Sequence, residues 1–505
     1  MSGAAALTLG ELLAGFAETP APWADRPVMG LAADSRAVRP GEVFFAVRGG
    51  QRHGLDFLAA VRSAGALAVL WEPPWEGTLP DGDFPLLAVP QLRDRMGRIT
   101  SRFYGEPSRR LPVVGITGTD GKTSCAHFLA QALSDREAGP CGILGTLGFG
   151  VHGQTAPSSH TTPDALAVQR WLAGLVAGDQ RHAVMEVSSH ALDQGRVNGI
   201  EFTVAVLTQL SRDHLDYHGT LDAYAAAKRR LFVDCQPSWA VLNGDDAFGQ
   251  QLATEARARR GIIVYGLSES STSAERFVWG ESLELAEDGL RLQIRSSWGA
   301  GELQAGLLGR FNASNLLATL ATLLALEMPF ADALARLAQT KTAPGRMERL
   351  GGQQGQPLAV IDYAHTPHAL EQTLRALREH GGHHRLWCVF GCGGDRDPGK
   401  RPWMGAVAER LADRIVVTDD NPRTELAERI VEDILAGMQH PREATVIRDR
   451  RAAILWALTE AEAGDIVLLA GKGHEDEQII GAERLPFSDR AVAREFLISI
   501  KREIA

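Results

Sequence analysis

The feature that most narrows the possible folds is the run Leu111-Pro-Val-Val-Gly-Ile-Thr-Gly-Thr-Asp-Gly-Lys-Thr-Ser124. Its apolar start, Leu111–Thr117, reads as a buried strand, a glycine turn follows, and Ser124–Leu133 has the apolar spacing of a helix. Strand, glycine turn and helix in this order bring backbone N–H groups and a helix dipole to one point, where phosphate oxygens bind. In such a loop Lys122 would reach the β- and γ-phosphates and Thr123 would offer a hydroxyl to Mg²⁺. The common GxxxxGK[ST] spacing would need glycine where Ile116 stands, so the loop is a variant. The plain alternative is a glycine turn that binds nothing; Gly-Lys-Thr between strand and helix favours ATP or GTP over it. The loop alone does not separate kinase, ATPase, GTPase and ligase.

At 505 residues, 45% of them apolar and 23% charged, the chain should be globular and hold several cores. Residues 1–108 contain the strand-like runs Gly41–Val47 and Ala66–Trp71 and end in a polar stretch from Tyr104 to Arg110, a candidate linker. Residues 109–343 add the strands Arg181–Val187 and Phe202–Leu207 and a hairpin pattern, Phe277–Trp298, around Glu287-Asp-Gly289. Residues 344–505, after Ala343-Pro-Gly345, alternate the strand-like runs Leu358–Asp362, Leu386–Phe390, Arg414–Thr418 and Asp465–Ala470 with amphipathic stretches. That alternation implies a parallel sheet with helices on both faces. The fold class is therefore α/β, in three domains.

A formal net charge of -10 and no long basic run argue against nucleic acid or an anionic membrane as partner. The cysteines Cys125, Cys141, Cys235, Cys388 and Cys392 are odd in number and widely spread, which suggests neither a disulfide framework nor paired zinc ligands and fits a reducing cytoplasm. The N-terminal MSGAAALTLGELLAGFAE carries Glu11 and lacks a basic lead, so it reads as an amphipathic helix rather than a signal peptide. No apolar run reaches the ~18 residues of a membrane span. A monomer is the default expectation.

Beyond the phosphate loop, the chain carries Asp34-Ser-Arg36, Met185-Glu-Val-Ser-Ser-His-Ala-Leu192, Ser211-Arg-Asp-His-Leu-Asp-Tyr-His-Gly219, Asp362-Tyr-Ala-His-Thr-Pro367, Gly391-Cys-Gly-Gly-Asp-Arg-Asp397, Asp420-Asn-Pro-Arg423 and Gly471-Lys-Gly-His-Glu475. In this order, with Gly118-Thr-Asp-Gly-Lys-Thr123, they resemble the Mur ligases that form a UDP-linked muramoyl tripeptide. The resemblance implies an N-terminal UDP-binding α/β domain, a central P-loop mononucleotide-binding domain and a C-terminal Rossmann-like domain that takes the incoming amino acid. It also implies the reaction: ATP activates the terminal carboxylate of UDP-N-acetylmuramoyl-L-Ala-D-Glu as an acyl phosphate, and an amine displaces the phosphate.

By the same resemblance Lys122, Glu186, His214 and Lys228 are the catalytic set, with Mg²⁺ held by Thr123, Glu186, His214 and Lys228, the lysine as a carbamate. Read without it, Glu186 and His214 would be a buried hydrogen-bonded pair and Lys228 a surface lysine. ATP would be held by Gly118, Thr119, Asp120, Gly121, Lys122, Thr123 and Ser124, with Asn312 on the adenine side beside Asn315, and Arg346, Asp362 and His365 near the ribose and phosphates. The UDP substrate is expected at Ser35, Thr161, Thr162, Ser188, Gln194 and Arg196. Hydroxyls, an amide and one guanidinium can grip such a substrate without a basic patch.

The incoming amino acid is expected at Arg396, Asp420, Asn421, Pro422, Arg423, Gly471 and Glu475. Meso-diaminopimelate has a distal carboxylate that lysine lacks, and the planar fork of Arg423 suits it, so diaminopimelate is the expected substrate. Without the resemblance Asp420-Asn-Pro-Arg423 reads as a turn with Arg423 paired locally. Asp120 and Gln209 stand where such ligases more often have asparagine, and His368 is also unusual. The alternatives are a lysine-adding ligase, a folylpolyglutamate synthetase, for which Asp34–Arg36 and Asp420–Arg423 would not be expected, and an inactive nucleotide-binding scaffold, which would be expected to have lost Lys122, Glu186 or Lys228.

Overall fold

Thr-x-x-Glu at positions 8–11 encodes a reciprocal helix cap. In the computed structural model Thr8 Oγ1 accepts from Glu11 N at 3.3 Å and the Glu11 carboxylate accepts from Thr8 N at 2.9 Å, which starts the short helix Leu9–Leu13. The structure describes residues 7–50, 52–80, 82–135, 139–158, 160–353, 355–381 and 384–504. The first six residues of the expected N-terminal helix therefore lie outside the described ones.

The chain divides into two units, Met1–Tyr265 with Ser270–Phe277 and Ala321–Met328, and Gly266–Glu269 with Val278–Leu320 and Pro329–Ala505. In the first, four parallel strands follow chain order: Gly30–Ala32, Glu42–Ala46, Ala68–Trp71 and Leu86–Ala88. Val43 and Phe45 pack with Leu9, Leu12 and Leu92, whereas Phe44 and Ala46 pack with Leu55, Leu58 and Val61 on the opposite face. Burial on both faces explains why this strand reads as an unbroken apolar run. The stretch expected as a linker contains a turn of helix, Pro107–Arg110, with Ser108 buried and its hydroxyl accepting from Glu201 N at 3.0 Å. Proline is tolerated at a first helical position, so the polar stretch packs down.

The larger sheet of the first unit runs Gly261–Gly266, Trp239–Asn243, Val204–Leu207, Val113–Thr117, Ala183–Glu186, Gly142–Gly145, all parallel, and continues antiparallel through Gly148–Val151 and Gln154–Ala156. The phosphate-loop strand is central, and its register, Ile116 opposite Glu186 and Thr117 opposite Leu207, brings three strand ends to one edge. In α/β sheets that carboxyl edge is where ligands bind.

In the second unit the hairpin expected around Glu287-Asp288 is present and extends to a three-stranded meander, Phe277–Ala286, Gly289–Ser296 and Gly299–Ala305. A six-stranded sheet follows in the order Glu348–Gly351, Leu358–Asp362, Ile466–Ala470, Leu386–Phe390, Arg414–Val417, Thr445–Val446, parallel except at its first strand. Val360 and Leu468 meet Leu370, Leu374 and Met404 on one face, and Ile361 and Leu469 meet Ile454 and Val492 on the other. Among the described residues no helix is long and apolar enough to cross a membrane.

Beneath this sheet's carboxyl edge lies an ion pair sealed from water: Arg450 Nε and Nη2 donate to Asp489 at 2.7 and 2.6 Å, both side chains 0% exposed, and Nη2 also reaches Ala470 O at 3.0 Å. Removing one member would strand a buried charge. Asp489→Ala is therefore expected to destabilise the protein by about 3–5 kcal/mol, read as a lower midpoint in urea unfolding; a midpoint matching the native protein would contradict this.

Candidate active site

The loop after Val113–Thr117 turns on Gly118, at φ 147°, and Gly121, at φ 84°, which precedes the helix Lys122–Leu133. A Cβ on Gly118 would stand 1.8 Å from Thr208 Oγ1, so no side chain fits there. The helix begins two residues before the apolar pattern suggests, which puts Lys122, Thr123 and Ser124 in its first turn. Lys122 Nζ donates to Gly118 O at 2.8 Å and Thr119 O at 2.7 Å, closing the loop on itself. Asp120 and Gln209, the two departures from asparagine, join each other: Gln209 Nε2 donates to Asp120 Oδ2 at 2.8 Å.

Glu186, 1% exposed, ends its strand beside this loop. It accepts from Thr123 Oγ1 at 3.0 Å, Thr146 N at 2.8 Å and Thr146 Oγ1 at 3.1 Å. Thr146 Oγ1 also lies 3.2 Å from Thr161 Oγ1. Thr162, fully buried, donates to Glu186 O at 2.8 Å and accepts from Ser188 N at 3.1 Å. Arg196 Nη1 donates to Thr162 O at 2.7 Å, while its Nε and Nη2 hold Gln194 Oε1 at 3.0 and 2.6 Å. Burial pulls the Arg196 guanidinium below its usual range. Thr161, Thr162, Ser188, Gln194 and Arg196 thus form one connected group around Glu186. Ser188 also caps the helix Ser189–Asp193, and Asp164 caps Ala165–Ala177. Ser35, half-buried in the turn after Gly30–Ala32, takes part in none of these bonds among the described residues.

Lys228 is 1% exposed, not a surface lysine. Its Nζ donates to Gly118 O at 2.8 Å and lies 4.3 Å from the centre of the Tyr224 ring. Burial, and then the neighbouring Lys122, hold the Lys228 amine well below the ordinary lysine range. Burial likewise pushes the Tyr224 hydroxyl up to about 12. His214 is not paired with Glu186: its side chain is 46% exposed, lies 3.4 Å from Asp213 and stacks edge-on with His190, at 5.0 Å between ring centres. Its backbone is left-handed, φ 51°, a strain that tends to be kept at functional positions.

A Mg²⁺ ion fits part of this donor set. Thr123 and Glu186 present oxygen donors 3.0 Å apart, and among the described residues no group of three or more His, Cys, Asp or Glu converges as a metal site. A hydroxyl and a carboxylate oxygen side by side are the hard donors that Mg²⁺ takes, with phosphates and water completing its shell.

In the second unit Asp362 lies buried and accepts from Met347 N at 2.8 Å, Ala364 N at 2.9 Å and Thr373 Oγ1 at 3.3 Å. Burial pushes its carboxyl up, and nearby Arg346 opposes this. The Arg346 guanidinium sits 4.9 Å from the Tyr363 ring centre, and Tyr363 also stacks with His365 at 4.6 Å and His474 at 5.2 Å. Asn312 is buried, donates to Leu308 O at 2.8 Å and accepts from Asn315 Nδ2 at 3.2 Å.

The loop Gly391–Asp397 and the segment Asp420–Arg423 are locked together. A Cβ on Gly394 would strike Pro422 O at 1.9 Å, Gly394 N donates to Asn421 O at 2.9 Å, and Arg423 Nη1 donates to Gly394 O at 2.8 Å. Arg423, φ 53°, bridges onward through Ile479 O and Gly481 N at 3.0 and 2.7 Å. Arg396 is exposed beside this lock. Asp420 is buried next to Gly471; burial pushes its carboxyl up, against Arg450 and Lys472. Glu475 Oε2 accepts from Asn421 Nδ2 at 2.9 Å and Lys472 Nζ at 3.0 Å.

Thr146, Tyr363 and Lys472 were missed from the sequence. Gly471-Lys-Gly-His-Glu475 contains Lys472, but nothing local distinguishes a buried lysine from a surface one. Thr146 lies in a glycine-rich turn with no motif of its own.

The profile of the Mur ligase middle domain matches residues 116–323, that of the Mur ligase glutamate ligase domain residues 345–473, and that of the Mur ligase family catalytic domain residues 27–104. The chain belongs to the Mur ligase family. It is 51% identical over 476 residues to the UDP-N-acetylmuramoyl-L-alanyl-D-glutamate–2,6-diaminopimelate ligase of Alkalilimnicola ehrlichii, a match covering 92% of this chain and 94% of that protein. The enzyme of the same name from Pseudomonas aeruginosa is 50% identical, over 91% of this chain and 93% of its own. A solved structure of a ligase of that name superposes with a TM-score of 0.75 at 35% identity, covering 98% and 99% of the two chains.

Gly118→Ala, forced to place a Cβ against Thr208 at a positive φ, should weaken ADP binding by about tenfold to a hundredfold. Calorimetric titration of the purified variant checks this, and unchanged affinity would show that the loop tolerates a side chain.

Proposed function

We propose that this chain is an ATP-dependent ligase that joins meso-diaminopimelate to UDP-N-acetylmuramoyl-L-Ala-D-Glu through an acyl phosphate, a step of peptidoglycan precursor synthesis. The observation that carries the reading is the desolvated group of Thr123, Glu186 and Lys228 wrapped around a glycine phosphate loop, in a chain with about half its residues in common with ligases of that name.

On this reading Gly118–Ser124 cradle the nucleotide phosphates. Lys122 leaves its loop carbonyls for the β- and γ-phosphates, so that its charge falls where negative charge builds as the phosphoryl group transfers. Thr123, Glu186, His214 and a carbamylated Lys228 would hold Mg²⁺, which when bound polarises phosphoryl oxygens. The burial that holds the Lys228 amine below the ordinary lysine range favours the carbamate, since a neutral amine is the form that reacts with CO₂.

Thr161, Thr162, Ser188, Gln194 and Arg196 grip the UDP-linked peptide, and Ser35 serves the uridine. Asn312, Arg346, Asp362 and His365 serve the nucleotide's adenine, ribose and phosphates. Arg396, Asp420, Asn421, Pro422, Arg423, Gly471 and Glu475 receive the amino acid. There Arg423 keeps guanidinium donors beyond the one bound to Gly394 O, enough for a bidentate grip on the distal carboxylate. Domain boundaries near residues 108 and 343, a cytoplasmic monomer and no nucleic-acid or membrane partner complete the proposal.

The test is phosphate release and product mass with ATP, Mg²⁺ and the UDP-dipeptide, given meso-diaminopimelate or L-lysine. Ligation of diaminopimelate alone is expected; preference for lysine would refute the pocket assignment, and no ligation with either would refute the function. Arg423→Ala should lower kcat/KM for diaminopimelate by about a hundredfold while altering the trace rate with lysine little, because only the former loses a carboxylate partner.

A further inference from the structure

Lys472 has no role in the proposed chemistry, yet it is the most deeply buried lysine of its neighbourhood, 0% exposed. A buried ammonium is retained only where fixed acceptors meet it. Lys472 Nζ donates to Asn421 Oδ1 at 3.1 Å and to Glu475 Oε2 at 3.0 Å. Asn421 Oδ1 also accepts from Ile479 N at 3.0 Å, and Asn421 Nδ2 donates to the same Glu475 Oε2 at 2.9 Å.

Two donors on Asn421 Oδ1 leave its amide one orientation, Nδ2 toward Glu475. Two donors on Glu475 Oε2 leave Oε1 as the carboxylate oxygen that the partly exposed side chain can offer. The charges alternate as well: Asp420 and Glu475 are offset by Lys472 and by Arg450, which is itself bound to Asp489.

We infer that Lys472 is a positioning and specificity-determining residue of the amino-acid site, one that orients Asn421 and Glu475 and trims the negative charge facing the incoming amino acid. This rests on the reading of that site given above. Its consequence is electrostatic. Free meso-diaminopimelate, with two ammonium and two carboxylate groups, has no net charge, whereas lysine carries a net positive one. A pocket stripped of the Lys472 cation is more negative and gains attraction for lysine over diaminopimelate, in addition to losing the geometry of Glu475.

The experiment measures steady-state ligation by the native enzyme, Lys472→Met and Lys472→Arg, with diaminopimelate and with lysine, alongside KM for ATP and thermal melting. For Lys472→Met, KM for diaminopimelate should rise about tenfold or more, the scale of a lost charge-assisted hydrogen bond. Its preference for diaminopimelate over lysine should fall by a similar factor, with KM for ATP unchanged. Lys472→Arg keeps the charge but shifts the donors, so it should raise KM for diaminopimelate and keep most of the preference.

A folded Lys472→Met with native KM and native preference overturns the inference. So does a uniform fall in kcat and melting temperature with the preference intact, since that is a structural role. Should Lys472→Met not fold, loss of preference in Lys472→Arg overturns it alone. Failure of the native enzyme to ligate diaminopimelate would instead strike the proposed function, a separate outcome visible in the first assay.

Discussion

Glu186 is a carboxylate almost wholly withdrawn from water, and a buried carboxylate is tolerable only when hydrogen bonds replace its hydration. Three of the bonds come from Thr123 and Thr146, residues that different segments deliver. That requirement ties the first turn of the phosphate-loop helix, the end of Ala183–Glu186 and the turn after Gly142–Gly145 into one arrangement. The parallel register of Ile116 with Glu186 fixes it, because a slip by one residue would send Glu186 to the opposite face of the sheet. The backbone carbonyl of the same residue holds Thr162, and through Thr162 the group ending at Arg196.

The second unit solves a related problem by different means. Around Asp420–Arg423 the buried charges are offset chiefly by other charges: Arg450 with Asp489, Lys472 with Glu475, and, nearby, Arg401 with Glu425 and Asp433. Such pairs cost much desolvation and add little net stability, but each fixes a geometry that hydroxyls would leave softer. Gly394 lets the loop Gly391–Asp397 close on Pro422, so Arg423 and Arg396 are displayed from a rigid base. Preorganised donors of this kind are what selection between two similar amino acids needs.

Much of this was legible in the sequence. Leu358–Asp362 and Leu386–Phe390 fall on their predicted boundaries, and the other predicted strands are shorter by one or two residues at their ends, because apolar patterning marks burial and pairing ends where neighbouring strands do. The motifs named the residues around Glu186, and the structure joins Thr123, Thr161, Thr162, Ser188, Gln194 and Arg196 to it in one hydrogen-bonded group, while Ser35, His214 and Lys228 stand outside it. How the polar stretch Tyr104–Arg110 packs was not legible, because it depends on Glu201, far along the chain. The pairing of Asp120 with Gln209 was equally invisible, although together they account for two departures that looked unrelated.

The sequence by itself determined the α/β class and the strand–loop–helix unit, which rest on local periodicity and on residue spacing within short segments, and its ordered motifs carried the resemblance to the family. Tertiary structure alone decided which charges are buried and what they meet. Lys228 reads as a helix-surface lysine until Gly118, 110 positions away, closes over it, and Lys472 gains its meaning from Asn421, 51 positions away. Burial and partnership are properties of the folded neighbourhood, and no short window of sequence contains them.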